Sequence, residues 1–232
     1  MKYDAIAQLL SVHGMAVRGG FHPVEEDLVP LLTKNVAVHT LVLVGNVGSA
    51  MWERFQSSRL ADTRPDPMNT WTKKVLETTA KSVDADVVFP FGGPPYYPFQ
   101  RWARRAETVY SSPIGILIHP RYGLWHAYRG ALLFGEKFAV PSVSDLASPC
   151  DSCRDKPCLS TCPVGAFSGN EYDVSGCANF LGTHDGTDCL KSGCAARRAC
   201  PVGEDLIYES AHASFHMRAF ADVMWERRDK NN

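Results

Sequence analysis

Apolar residues recur at helical spacing near the start and end of this chain, with short continuous apolar runs between. Ile6, Leu9 and Leu10 predict a helix over residues 5–10, with Gly14 as its stop. The run Ala37-Val-His-Thr-Leu-Val-Leu-Val44 reads as a buried strand. Gly45-Asn-Val-Gly-Ser49 then turns into a helix whose apolar side includes Met51, Trp52 and Phe55. Residues 67–83 suit a long helix that starts at a proline-containing turn, with Trp71, Val75, Leu76 and Thr79 on related faces. A second strand is expected over Ala85–Phe89, and a short basic helix carrying Arg101, Arg104 and Arg105 over Phe99–Ala106. Ile114–Pro120 and Leu124–Phe134 read as two strands about the turn Pro120-Arg-Tyr-Gly123. The tail, residues 204–228, predicts an amphipathic helix with Leu206, Ile207, Ala211, Phe215, Phe220, Val223 and Met224 as its apolar positions.

Two segments of the first part stand out chemically. The loop Gly92-Gly-Pro-Pro-Tyr-Tyr-Pro98 combines prolines that fix φ with glycines that permit close approach; it reads first as a connector, although a rigid tyrosine-rich loop could flank a planar group. In the expected hairpin, alternation puts Gly115, Leu117 and His119 on one face, and Gly115 and Gly123 leave room beside the backbone. Arg121, Tyr122, Trp125, His126 and Arg129 set polar tips around that room. In the tail, His212 and His216 share a helix face; packing is the plainer reading, although such a pair can bind a metal.

At 232 residues the chain allows one sizeable core and a small appendage. Its 24 basic and 25 acidic side chains give a net charge of −1, which carries no nucleic-acid or anionic-membrane signature. No apolar run approaches the length of a membrane span. No DNA or membrane partner is therefore expected.

The cysteines change the picture most. All eight lie in the last third, and the first 149 residues contain none. They read Cys150-x2-Cys153-x4-Cys158-x3-Cys162-Pro163, then a lone Cys177, then Cys189-x4-Cys194-x5-Cys200-Pro201. Bacterial two-cluster ferredoxins carry C-x2-C-x2-C-x3-C-P runs whose fourth cysteine ligates the other cluster. Under that rule Cys150, Cys153, Cys158 and Cys200 hold one [4Fe–4S] cluster, and Cys162, Cys177, Cys189 and Cys194 hold a second. Two zinc sites, disulfides, or a mixture of ligands and buried thiols are the alternatives. Zinc knuckles do not call for two Cys-Pro endings, and the start of the chain carries no export signal, so reduced thiols in the cytoplasm are expected. Between Cys150 and Gly203 six acidic side chains face five basic ones. That balance favours a built-in relay over a free, strongly acidic carrier.

The segment Ile118-His-Pro-Arg-Tyr-Gly-Leu-Trp-His-Ala-Tyr-Arg-Gly130 is similar to a hairpin of the CblC-type cobalamin-processing proteins. The resemblance extends through Leu41–Val44, Met51-Trp-Glu-Arg-Phe55 and Asp66-Pro67, and covers most of residues 1–135. The cysteine order resembles that of cobalamin-dependent epoxyqueuosine reductases and, more distantly, reductive dehalogenases. Asp173-Val-Ser-Gly-Cys177 with Phe180-Leu181 looks like their isolated-cysteine segment, although the spacings at Cys158, Cys189 and Cys194 are longer here.

These resemblances imply an α+β protein in three parts. Residues 1–147 would form a flavin-reductase/nitroreductase-like, corrinoid-binding domain, residues 148–203 a bacterial ferredoxin-like two-cluster domain, and residues 204–232 a C-terminal helix and tail. They imply a cobalamin beside His119, Arg121, Tyr122, Gly123 and Trp125, with Gly92, Gly93 and Tyr96 on the loop. The expected function is an oxidoreductase that passes electrons from an upstream donor, through two [4Fe–4S] clusters, to that cobalamin, for reductive corrinoid processing or reduction of a small substrate. The rivals are a non-enzymatic carrier that docks a partner, a flavin-binding form of the same fold, and an epoxyqueuosine-reductase-like enzyme. The sequence identifies no counterpart of the reductases' proton-donating acid, and the chain lacks the length for their additional C-terminal RNA-binding repeats. A homodimer stays open.

Overall fold

The structure, a computed structural model, describes residues 2–58, 66–168 and 171–231. Its elements begin with α1 (Lys2–Ser11), β1 (Ala16–Phe21), β2 (Thr40–Val47), α2 (Ala50–Ser57), α3 (Pro67–Ser82) and β3 (Asp86–Val88). Next come α4 (Phe99–Ala106), β4 (Tyr110–Ser111), β5 (Leu117–Ile118) and β6 (His126–Phe134). The cysteine-rich part adds α5 (Pro149–Ser152), α6 (Pro157–Ser160), β7 (Phe167–Ser168) and β8 (Glu171–Tyr172). It ends with α7 (Val174–Leu181), α8 (Thr187–Ser192), α9 (Ala195–Arg198) and α10 (Ser210–Asn231). The chain is therefore a mixed α+β protein.

Two compact units emerge. One comprises Met1–Val109 and His126–Leu146, the other Tyr110–Trp125 and Ala147–Asn232. The expected hairpin is thus cut in two, its first half belonging to the cysteine-rich unit.

The first unit is built on an antiparallel sheet of order β1-β2-β6-β3. Thr40 through Asn46 are all buried, which is why β2 reads as a continuous apolar run and not an alternation. Helices α1 and α4 pack on β1, α2 on β2 and α3 on β3. Helix α3 buries Met68, Trp71, Val75 and Leu76, and α4 buries Phe99, Trp102, Ala103 and Ala106. Pro67 at the first turn of α3 needs no N–H partner there.

Three expectations need correction. Strand β1 has no counterpart in the sequence reading, because Arg18-Gly19-Gly20 interrupts any alternation; its register shifts between Val17 and Gly20. The predicted pairing of Ile114–Pro120 with Leu124–Phe134 does not form. Instead β5 pairs with β4 and β6 pairs with β2 and β3, while an isolated His119–Gly123 bridge closes the turn. Gly115 at φ +81 breaks the first run, so β5 is only Leu117–Ile118. The tail helix starts at Ser210 after a 3₁₀ turn over Glu204–Leu206. Its buried positions include His212, Ala213 and Ala221, whereas Val223 and Ile207 are exposed.

In the second unit α10 lies against α7 and α8, and α6 against α9. No helix among the described residues is long and apolar enough to cross a membrane.

Candidate metal centres

The eight thiols are distributed around two cavities of the second unit. Cys150, Cys153, Cys158 and Cys200 line one of about 260 Å³. Cys162, Cys177, Cys189 and Cys194 line a narrower one of about 20 Å³. Each set takes members from both cysteine runs. The same partition appears in the electrostatics: Cys150 feels Cys200, Cys158 and Cys153, while Cys177 feels Cys194, Cys162 and Cys189.

Local chemistry explains how short segments hold the thiols inward. Ser148 caps α5 by accepting the Cys150 N–H, and Pro149 occupies the first helical position. Pro157 does the same for α6, whose buried Cys158 follows it. Asp173 caps α7 with a 2.8 Å bond from the Gly176 N–H, which fixes the turn that carries Cys177. Cys189 lies on α8; Gly193, at φ +93, then redirects the chain so that Cys194 opens α9.

Backbone N–H groups aim at the sulfurs. Ala166 donates to Cys162 Sγ at 3.3 Å, Leu159 donates to Cys158, Ala196 and Arg197 to Cys194, and Val202 to Cys200. The Tyr172 hydroxyl donates to Cys177. Burial is nevertheless the larger effect and pushes the Cys150, Cys158, Cys177, Cys194 and Cys200 thiols up, with neighbouring thiols adding to it. Such thiols stay protonated until a cation enters the cavity, when binding releases their protons.

A [4Fe–4S] cube offers four irons, each taking one thiolate. Four thiols around a cavity, backed by N–H donors and an apolar wall, suit that group. The wall of the first cavity includes Ile118 and Leu124, and both pack in one apolar cluster with Cys158 and Cys200. Among the described residues no three His, Cys, Asp or Glu side chains converge on a single-ion site.

The residues expected beside a corrin fall in both units. His119 Nδ1 accepts the N–H groups of Arg121 (3.0 Å) and Tyr122 (3.2 Å), and its ring stacks on Tyr122 at 4.1 Å. Neutral His119 therefore carries its proton on Nε2. Arg121 is exposed, with its guanidinium 5.9 Å from the Tyr122 ring. Trp125 is buried; Tyr208 meets its ring edge-on at 5.3 Å and Arg197 lies 4.5 Å over it. Gly123, at φ +56, belongs to this unit too. Gly92, Gly93 and the exposed Tyr96 belong to the first unit, where Gly92 adopts φ +85.

Sequence reasoning missed three arrangements. Tyr172 bonds Cys177 without any motif to announce it. Arg197 donates from Nε to the Leu124 carbonyl at 3.1 Å while lying over Trp125 and Tyr208. In the first unit, Arg18 pairs with Glu107 at 2.8 Å and bonds the Asn46 carbonyl, and Tyr128 donates to Glu107 at 2.5 Å. Burial first, then the Glu107 carboxylate, pushes the Tyr128 hydroxyl far above its ordinary value.

No protein-family model and no curated protein matches the chain. Solved structures do. The B12-trafficking protein CblC of C. elegans aligns over 96% of this chain and 94% of its own, with TM-score 0.57 and 12% identity. Epoxyqueuosine reductase from Streptococcus thermophilus aligns over 90% of this chain and 68% of its own, with TM-score 0.51 and 14% identity. A second epoxyqueuosine reductase, solved with an epoxyqueuosine-modified tRNA stem loop, aligns equally far with TM-score 0.51 and 16% identity. The chain thus has a fold similar to that of both epoxyqueuosine reductase and the B12-trafficking protein CblC.

Proposed function

We propose that this chain is a redox protein in which two [4Fe–4S] clusters relay single electrons to a cobalamin, for reductive corrinoid processing or corrinoid-dependent reduction of a small molecule. The observation that carries this reading is the division of eight thiols into two cavities, four to each, in the crosswise order of two-cluster ferredoxins. Cys150, Cys153, Cys158 and Cys200 would hold one cluster; Cys162, Cys177, Cys189 and Cys194 would hold the other. The likeness in fold to CblC and epoxyqueuosine reductase supports the corrinoid half.

When bound, the clusters supply one-electron steps and the corrinoid supplies a reducible cobalt. The chain's own groups do the rest. N–H donors and the Tyr172 hydroxyl lower the negative charge borne by the thiolates, and Ile118 and Leu124 exclude water from one cavity. His119, whose Nδ1 accepts two backbone N–H groups, would offer an Nε2–H donor to the corrinoid, with Arg121, Tyr122 and the buried Trp125 as its neighbours on this chain. On this reading residues 1–147 are the flavin-reductase/nitroreductase-like domain and residues 148–203 the ferredoxin-like one.

Anaerobic purification followed by iron analysis tests the cluster half. Roughly eight iron atoms per chain are expected; zinc in their place would sink the redox reading. Iron without any binding of added cobalamin would leave an electron carrier.

A further inference from the structure

Two imidazoles of α10 meet edge to edge, apart from the eight thiols. His212 Nε2 and His216 Nε2 lie 3.1 Å apart. Four residues separate them, so successive helical turns set them on one face. His212 is fully buried, and Tyr208 lies parallel against its ring with centroids 4.0 Å apart and planes 16° apart. Phe215 meets His216 edge-on, at 5.6 Å and 78°. Each imidazole is thus packed against an aromatic neighbour, which restricts its rotation and keeps the two nitrogens convergent.

That separation matches a chelate bite. With metal–imidazole bonds of about 2.0–2.1 Å, two nitrogens 3.1 Å apart enclose roughly 98° at the metal. The angle falls between the right angle of square-planar or octahedral sites and the wider tetrahedral one. Imidazole suits zinc, copper, iron and nickel. We propose that His212 and His216 form a two-imidazole site for a divalent first-row transition-metal ion, with water or an added ligand in the remaining positions. Binding uses both Nε2 lone pairs, so the proton now held between the rings moves to the Nδ1 of the ring that carries it. No third His, Cys, Asp or Glu joins them among the described residues, so an exchangeable, moderate-affinity site is expected.

The test uses the full chain with its cysteines already loaded with iron–sulfur clusters, and Zn²⁺ as the probe. One equivalent of Zn²⁺ should give X-ray absorption with a nitrogen shell at about 2.0–2.1 Å and imidazole scattering. A sulfur shell at about 2.3 Å, or zinc left free in solution, would overturn the proposal. His216→Gln should weaken zinc binding roughly tenfold or more while cluster absorbance stays unchanged. Wild-type affinity in that variant would also overturn it. If the variant loses its clusters, the absorption measurement on the unaltered chain decides alone.

Discussion

Gly123 approaches Val202 so closely that a Cβ on it would lie 1.8 Å from the Val202 carbonyl oxygen. Gly203, at φ +74, returns the approach toward the Tyr122 carbonyl, where a Cβ would lie 2.6 Å away. Val202 follows Cys200-Pro201 and donates its N–H to the Cys200 sulfur. The room left by Gly123 is therefore filled by the loop that carries a thiol of the larger cavity.

Gly123→Ala should disturb that thiol. The side chain adds left-handed strain of about 1–2 kcal/mol and must also push Val202 away. The expected result is faster loss of one cluster in air, read as the decay of visible absorbance, with the Cys177-containing set kept. Wild-type decay would show that the close approach is not needed.

The crosswise assignment predicts which cysteine variants resemble one another. Cys200→Ser should match Cys150→Ser, although the two lie in different runs, and Cys162→Ser should match Cys194→Ser. Each should cut iron from roughly eight to roughly four per chain, and the electron paramagnetic resonance signal of the remaining cluster should be the same within each pair. If Cys200→Ser instead matched Cys189→Ser, each run would hold its own cluster.

Tyr172→Phe tests tuning. Its hydroxyl stabilises negative charge at Cys177, and the reduced cluster carries more of that charge. Removing it should lower one midpoint potential by tens of millivolts, on a scale of 59 mV per tenfold for one electron. The other potential should not move. Redox titration by electron paramagnetic resonance reads both.

In the first unit, buried Arg18 pairs with the largely covered Glu107, and Glu107→Ala leaves the arginine without its carboxylate. A loss of about 3–5 kcal/mol is expected from denaturant unfolding. Tyr128 adds a pH dependence. Its folded value is raised, so the stability it contributes is full below the unfolded value of about 10 and is lost as pH climbs above it, toward the folded value. Between pH 9 and 11 the wild type should therefore lose more stability than Tyr128→Phe.

Much of this was legible because the signals are local. Trp71, Val75 and Leu76 mark α3, the Leu41–Val44 run marks β2, and the bounds of α4 match the expected Phe99–Ala106. Cysteine spacing is local in the same way. The hairpin misled because Ile114, Ile116 and Ile118 alternate like a strand while Gly115 turns the backbone away. Strand β1 escaped because Arg18 is buried by a partner, Glu107, 89 residues away. The Tyr172–Cys177 bond and the Gly123–Val202 approach depend on tertiary placement and leave no periodic trace.

The most direct test is reduction of added cobalamin by the anaerobic, cluster-loaded chain supplied with a one-electron donor, followed by the corrinoid spectrum. Stoichiometric reduction that requires intact clusters, and that is slowed in Cys200→Ser, is the predicted result. A chain with roughly eight irons that neither binds nor reduces cobalamin would contradict it.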